Sequence, residues 1–276
     1  MFGVLLIWLG EFFEETSAIA GKKEFSAHKE DVYVYGFLQI FAVLITFLLM
    51  LAFTPGSMMF SWASLPTLSI RVVFEIIQCY TAIVALKLAD RSTMGVVRSG
   101  TIPLLLAVDI LMGYSVSPLQ FAGILALFVP ILLAVKGKVV NRKGLKYVLL
   151  ATVLPVITST LYKYNISNFN SVAMEGTIVF SALLIFWSVM NIARKQNPFK
   201  YLRDPQVVVQ SRSIAVASVL ISVAFMYSIP SLLIAVKRAS AVFWSTLSGV
   251  YIFSEKKAFA KFCVAGVMLA VMFVLI

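Results

Sequence analysis

Apolar residues run along this chain in long, nearly unbroken blocks divided by short polar connectors. Crossing the hydrocarbon of a bilayer takes about 20 apolar residues in a helix. Ten blocks near that length stand out, at 2–20, 32–53, 65–86, 92–112, 117–135, 146–163, 170–193, 212–228, 230–253 and 258–276. The pattern predicts an all-α polytopic membrane protein with ten transmembrane helices. Composition agrees: 61% of the 276 residues are hydrophobic and 13% are charged, outside the range of soluble domains.

The formal net charge of +11 would suit nucleic acid on a soluble protein. Here the basic residues gather in the connectors, which excludes a nucleic-acid partner and reports topology. Counting the blocks as spans, the odd-numbered connectors hold nearly all of them, from Lys22, Lys23 and Lys29 through Arg142, Lys143 and Arg212 to Lys256, Lys257 and Lys261. The positive-inside rule makes those connectors cytoplasmic and puts both termini outside. No basic residue precedes the first block and no small-residue cleavage site follows it, so it is expected to stay as a span. Cys79 and Cys263 fall inside spans, where they read as packing residues without a disulfide. With one histidine, His28, and no Gly-x-x-x-x-Gly-Lys loop, the chain offers no histidine metal site, no ATP site and no enzymatic constellation, so no cofactor is expected.

The basic connector KGKVVNRKGLK, Lys136 to Lys146, divides the chain into halves 1–136 and 137–276 with five spans each. An odd number of spans inverts a duplicated half, giving the inverted-repeat plan of many transporters. The last spans of the halves open alike, with PLQFAG at 118–123 and KFCVAG at 261–266.

Four stretches carry a family resemblance: ALKLADRSTMGVVRSGTIPLLLAVDILMG and SPLQFAGILAL in the first half, VKRASAVFWSTLSGVYIFSEKK and KFCVAGVMLA in the second. They resemble the EamA-like branch of the drug/metabolite transporter superfamily. The resemblance implies two inverted five-helix repeats around a central cavity, working by alternating access in the plasma or inner membrane. The chain departs from that pattern in lacking an acidic residue before the fifth span (MGYSVSP) and in loop charges that favour external termini where the family usually has cytoplasmic ones.

A charge at mid-bilayer costs on the order of 2.5–3.5 kcal/mol even on insertion scales, so the charges left inside spans are the candidate site. Arg71, Glu75, Arg98, Lys237 and Arg238 lie deepest. Lys237, Ala241, Ser245 and Gly249 follow at steps of four, one helix face whose small residues admit a neighbouring helix. Lys237 and Arg238 are therefore candidates to bind an anionic group, the planar fork of arginine suiting carboxylate or phosphate. The alternative is a ninth span that starts later, with the pair snorkelling to the interface. Phosphate translocators, a sister branch, are similar in carrying a Lys-Arg pair on the ninth helix and a basic residue on the fourth, where Arg98 stands here.

Arg71 and Glu75, four residues apart, are expected to neutralise each other. Glu11 and Glu15 share a face with Glu14 beside them. They are candidates for proton coupling, or else surface partners of Lys22 and Lys23. Glu175 is expected near the surface. Tyr80 and Trp244 are candidate cavity walls, and Trp62, Tyr162, Tyr164, Trp187 and Tyr227 read as interfacial anchors. Together these features point to a secondary-active carrier of a small organic metabolite, with an anion favoured, protons as coupling ion and a homodimer left open. Two alternatives remain: a carrier of neutral or cationic amino acids or drugs, with Glu75 and Glu11 neutralising the bases, and a non-transporting membrane scaffold.

Overall fold

The computed structural model describes residues 2–26, 31–113, 143–227 and 229–255, with isolated positions in 117–126 and 259–270. The expected fifth and tenth spans, with the motifs at their starts, therefore lie largely outside the described residues, as do His28 and most of the basic connector. Every regular element among the described residues is helical: α1 (Phe2–Ser26), α2 (Val32–Phe53), α3 (Leu65–Leu88), α4 (Arg91–Arg98), α5 (Thr101–Leu111), α6 (Leu145–Asn168), α7 (Val172–Ala193), α8 (Pro205–Ala224) and α9 (Pro230–Tyr251). Among the described residues, six segments are long and apolar enough to cross a membrane: α2, Trp62–Leu88, Thr93–Leu111, α6, α7 and α8. α1 and α9 match them in length, at 25 and 22 residues, and differ by the charges they carry.

Local chemistry sets the helix starts. Ser171 caps α7 by accepting a hydrogen bond from the Met174 amide at 3.1 Å, satisfying a donor that the first turn cannot. Asp204 caps α8 in the same manner through the Gln206 amide at 2.9 Å. Pro205 and Pro230 open α8 and α9 with the φ angle a helix needs and no amide to lose. The cap at Asp204 corrects the expected start of the eighth span: α8 begins at 205 rather than 212, and Arg212 is an exposed residue within it instead of a connector charge.

The expected fourth span, 92–112, is two helices. The Ser99 and Gly100 amides turn back to the Val96 and Val97 carbonyls, three residues behind rather than four. The Thr101 hydroxyl reaches the Thr152 carbonyl of α6 at 2.7 Å. This break ends α4 at Arg98.

α1 runs along α8, α2 along α7 and α3 along α6; α9 packs on α4, α5 and α1. Lesser pairings join α2 to α8, α3 to α7, and α6 to both α4 and α5. Small residues make the α1–α8 seam. Gly3 faces Ala224 and Tyr227, and Gly10 faces Ala217 and Ile221, which fixes the two helices antiparallel. A Cβ on Gly10 would fall 2.7 Å from Ile221 Cγ1, so the Ile221 side chain fills the space that a side chain at position 10 would need. Trp187 does not anchor at an interface. It is wholly buried against Gly36, Tyr33 and Phe186. Tyr162 is buried too, its hydroxyl donating to the Ser222 carbonyl at 3.1 Å, whereas Trp62 and Tyr227 are exposed as anchors should be.

Overpacking a filled seam costs about 1–3 kcal/mol. Gly10→Val is therefore expected to lower the melting temperature of the detergent-purified protein, and Ile221→Ala in the same chain to restore part of it. An unchanged melting temperature for Gly10→Val would contradict the seam described here.

Candidate functional site

A cavity of about 250 Å³ opens between helices of the first half (α1 to α4) and helices of the second (α7 to α9). Helical spacing aims its lining. Glu11, Glu14, Glu15 and Ala18 form one face of α1; Glu75, Gln78, Cys79 and Ala82 form one face of α3; Arg91, Met94, Gly95 and Arg98 form one face of α4; Lys237, Ala241 and Ser245 form one face of α9, with Arg238 beside them. α4 and α9 approach so closely that a side chain on Gly95 would overlap the Ser245 hydroxyl. That approach brings Arg98 into the same chamber as the Lys237–Arg238 pair.

The sequence-predicted cations thus meet inside the bundle: Lys237 lies two turns into α9, and Arg238 is only 2% exposed. Lys237 Nζ lies 2.7 Å from Glu14 Oε2 and 3.9 Å from Glu11 Oε2. Arg98 Nη1 approaches the other oxygen of Glu14 at 3.9 Å. The Arg238 guanidinium has two buried donors, Nε and Nη1, without a hydrogen-bond partner, against one, Nε, for Arg98. A buried donor left unmade is costly, more so when charged.

The expected partnerships are otherwise redrawn. Arg71 pairs with Glu175 rather than Glu75, Nη1 to Oε1 at 2.7 Å, while its guanidinium lies 4.4 Å from the centre of the Tyr162 ring. Glu175 is not at a surface. It is fully buried and also accepts from Asn165 and Asn170 at 2.7 and 2.6 Å. Three donors within a dry interface outcompete the one contact that i, i+4 spacing offered Glu75. Glu75 is left on the cavity wall with Gln78, whose amide donates to it at 3.3 Å and accepts from Thr158 at 2.7 Å.

Glu15 likewise pairs with neither Lys22 nor Lys23. Arg91 grips both its oxygens, Nε at 3.2 Å and Nη2 closer, and Ser248 donates to it at 2.5 Å. The Arg91 backbone amide donates to Glu255 at 2.7 Å, and Lys22 turns to the Ala89 carbonyl. A carboxylate so enclosed is a structural tie, which leaves Glu11, Glu14 and Glu75 as the acidic groups of the chamber. Tyr80 and Trp244 stand outside the cavity lining: Tyr80 packs on Tyr33, and Trp244 clusters with Trp8, Phe12 and Phe243.

A second cavity of about 160 Å³ adjoins the first and reaches Arg71, Thr158, Tyr162 and Phe225. Glu14, Glu75, Gln78, Phe180, Ser218 and Lys237 line both. Sequence reasoning passed over Gln78, Arg91 and Ser248, and it named Glu14 only as the neighbour of Glu11 and Glu15.

No protein-family model matches the chain, and no curated protein matches it in sequence. In three dimensions it is similar to a solved structure described only as "Crystal structure of protein", at 16% identity and a TM-score of 0.72 over 99% of this chain and 96% of that one. The likeness extends over the whole architecture and concerns the fold alone.

Removing one partner of a buried ion pair costs about 3–5 kcal/mol, because the other charge is left uncompensated. Arg71→Met is expected to destabilise the protein by that amount, and Arg71→Met with Glu175→Gln by less than half of it. Thermal unfolding in detergent measures both. Equal losses for the single and double variants would show that the stability lies elsewhere.

Proposed function

We propose that this chain is a secondary-active carrier of the drug/metabolite transporter superfamily, EamA-like. It moves a small organic anion across the cell membrane by alternating access and performs no catalysis. The observation that carries this reading is Arg238, a buried guanidinium with unmade hydrogen bonds on the wall of a charged cavity, an arrangement that a carboxylate or phosphate would complete.

The helix pairings support the inverted repeat. Exchanging α1 with α6, α2 with α7, α3 with α8, and α4–α5 with α9 turns the α1–α8 pairing into α3–α6, α1–α9 into α6 with α4–α5, and α2–α8 into α3–α7. The α2–α7 and α4–α9 pairings map onto themselves. Four segments of each half thus correspond among the described residues, as expected if each belongs to a five-helix unit and the two are related by a two-fold axis, the plan on which carriers rock about a central site. The helix broken at Arg98 agrees with the discontinuous helices found at such sites.

Charge balance gives the coupling. With Glu15 and Arg91 cancelling, Glu11, Glu14 and Glu75 stand against Arg98, Lys237 and Arg238, three against three. An anion entering this neutral chamber brings one uncompensated charge, and a proton on one carboxylate offsets it. Glu11 takes that proton: it faces Glu14 on its own helix, Arg98 on α4, and Lys237 and Arg238 on α9, and its Oε2 has no hydrogen-bond partner.

A ligand that binds only the folded state raises its melting temperature. Organic phosphates or carboxylates are expected to stabilise the wild-type protein and to lose that effect in Arg238→Ala and Lys237→Ala. Stabilisation by amino acids or cationic drugs in wild type and variants alike would favour a carrier of neutral or cationic substrates. Stabilisation by none of these ligands would favour the scaffold. In proteoliposomes, Glu11→Gln is expected to abolish accumulation driven by a pH gradient while leaving substrate exchange intact; pH-driven accumulation that survives the substitution excludes Glu11 as the coupling group.

A further inference from the structure

The two cavities share the Glu14–Lys237 ion pair, so the pair stands between them. Its construction differs from that of the other buried ion pairs on these helices. Glu15 is held by two guanidinium nitrogens and a hydroxyl. Glu175 is held by a guanidinium and two amides. The Glu14 side chain is 22% exposed, against 6% for Glu15 and 0% for Glu175. Among the described residues it has one close partner, Lys237, and one distant one, Arg98 at 3.9 Å. Beside Lys237, the buried Nε and Nη1 of Arg238 have no hydrogen-bond partner. Glu14 is therefore the close partner of Lys237 and the distant one of Arg98, with Glu11 at 3.9 Å from the same ammonium, and it is tied down far less than the carboxylates that hold the helices together.

We propose that Glu14 is a tethered counter-anion: it occupies part of the substrate's anion site in the empty carrier, and a carboxylate or phosphate substrate binds by displacing it from Lys237. This rests on the reading of the cavity as an anion carrier's site and adds a competitor to it. The incoming anion engages Arg238 and Lys237 together, and Glu14 falls back on Arg98, already within 3.9 Å. With the proton on Glu11 offsetting the anion's own charge, no charge is stranded, which a low-dielectric site requires. The competition also keeps substrate from binding too tightly to leave. A site that its own side chain fills most of the time has an apparent affinity reduced by the fraction of time it is free.

The test is titration of the purified full-length protein with inorganic phosphate and with succinate, read by thermal shift and calorimetry. If Glu14 vacates the site about one-tenth of the time, Glu14→Gln, which keeps the size and removes the charge, should bind the effective probe about tenfold more tightly. Adding Arg238→Ala to Glu14→Gln should abolish the gain. Wild-type binding that depends on Arg238 and is not strengthened by Glu14→Gln overturns the competitor and leaves the carrier reading intact. Absence of Arg238-dependent binding in both proteins overturns both. Should Glu14→Gln not fold to a monodisperse species, Glu14→Asp, which shortens the reach to Lys237, is expected to tighten binding in the same direction. If Glu14→Asp fails to fold too, the pair is structural and the proposal is wrong.

Discussion

Neutralising charge inside a bilayer is the constraint on which this arrangement depends. An ionised side chain at membrane depth must find its counter-charge within the protein or in a wet cavity, and α1, α3, α4, α7 and α9 are held where their charges meet. Two clusters are closed. Arg71, Glu175, Asn165 and Asn170 tie α3 to α6 and α7; Arg91, Glu15, Ser248 and Glu255 tie α1 and α4 to the C-terminal end of α9. Each joins the first half of the chain to the second. Between them lies the chamber of Glu11, Glu14, Lys237 and Arg238, where the pairing is incomplete. In the two clusters both carboxylate oxygens of Glu175 and of Glu15 are hydrogen-bonded, and satisfied polar networks rigidify, so they read as fasteners on either side of the chamber.

Close backbone approach makes those meetings geometrically possible. Charged side chains on neighbouring helices bond directly only if the helix axes come near, and glycine supplies the space: Gly10 against α8, Gly36 against Trp187, Gly95 against α9. The Gly95 contact and the break after Arg98 act together. One lets α4 lie against α9, and the other ends the helix where the Arg98 side chain enters the chamber. A continuous fourth span would have carried α5 onward in line, without the hydroxyl bracing that Thr101 makes with α6.

Periodicity made most of the scaffold legible. The second span coincides with α2 from 32 to 53, and the third, seventh and ninth agree with their helices to within about two residues. Errors arose where polarity and helicity part company. Gln206, Gln210 and Arg212 read as connector, yet the Asp204 cap and Pro205 start a helix there. Inside the site, the cations were legible because an unexplained charge in an apolar run is conspicuous by itself. Their partners were not, because a one-dimensional spacing rule reports only intrahelical neighbours. It offered Glu75 to Arg71 and missed Glu175, more than 100 positions away, which the packing of α3 beside α6 and α7 delivers.

The same reasoning explains why Lys237 and Arg238, adjacent in sequence, take different roles. Rotation by about 100° per residue turns Lys237 toward the α1 carboxylates and leaves Arg238 beyond their reach. If both were paired to α1, the chamber would be a third fastener, and the two halves would be locked along their length. One is paired loosely, and the other keeps two buried donors without a hydrogen-bond partner. On the carrier reading, that is what couples occupancy to the relative motion of the halves: the anion neutralises Arg238, releases Lys237 from α1, and so weakens the contact between α1 and α9 at the depth where the two cavities adjoin.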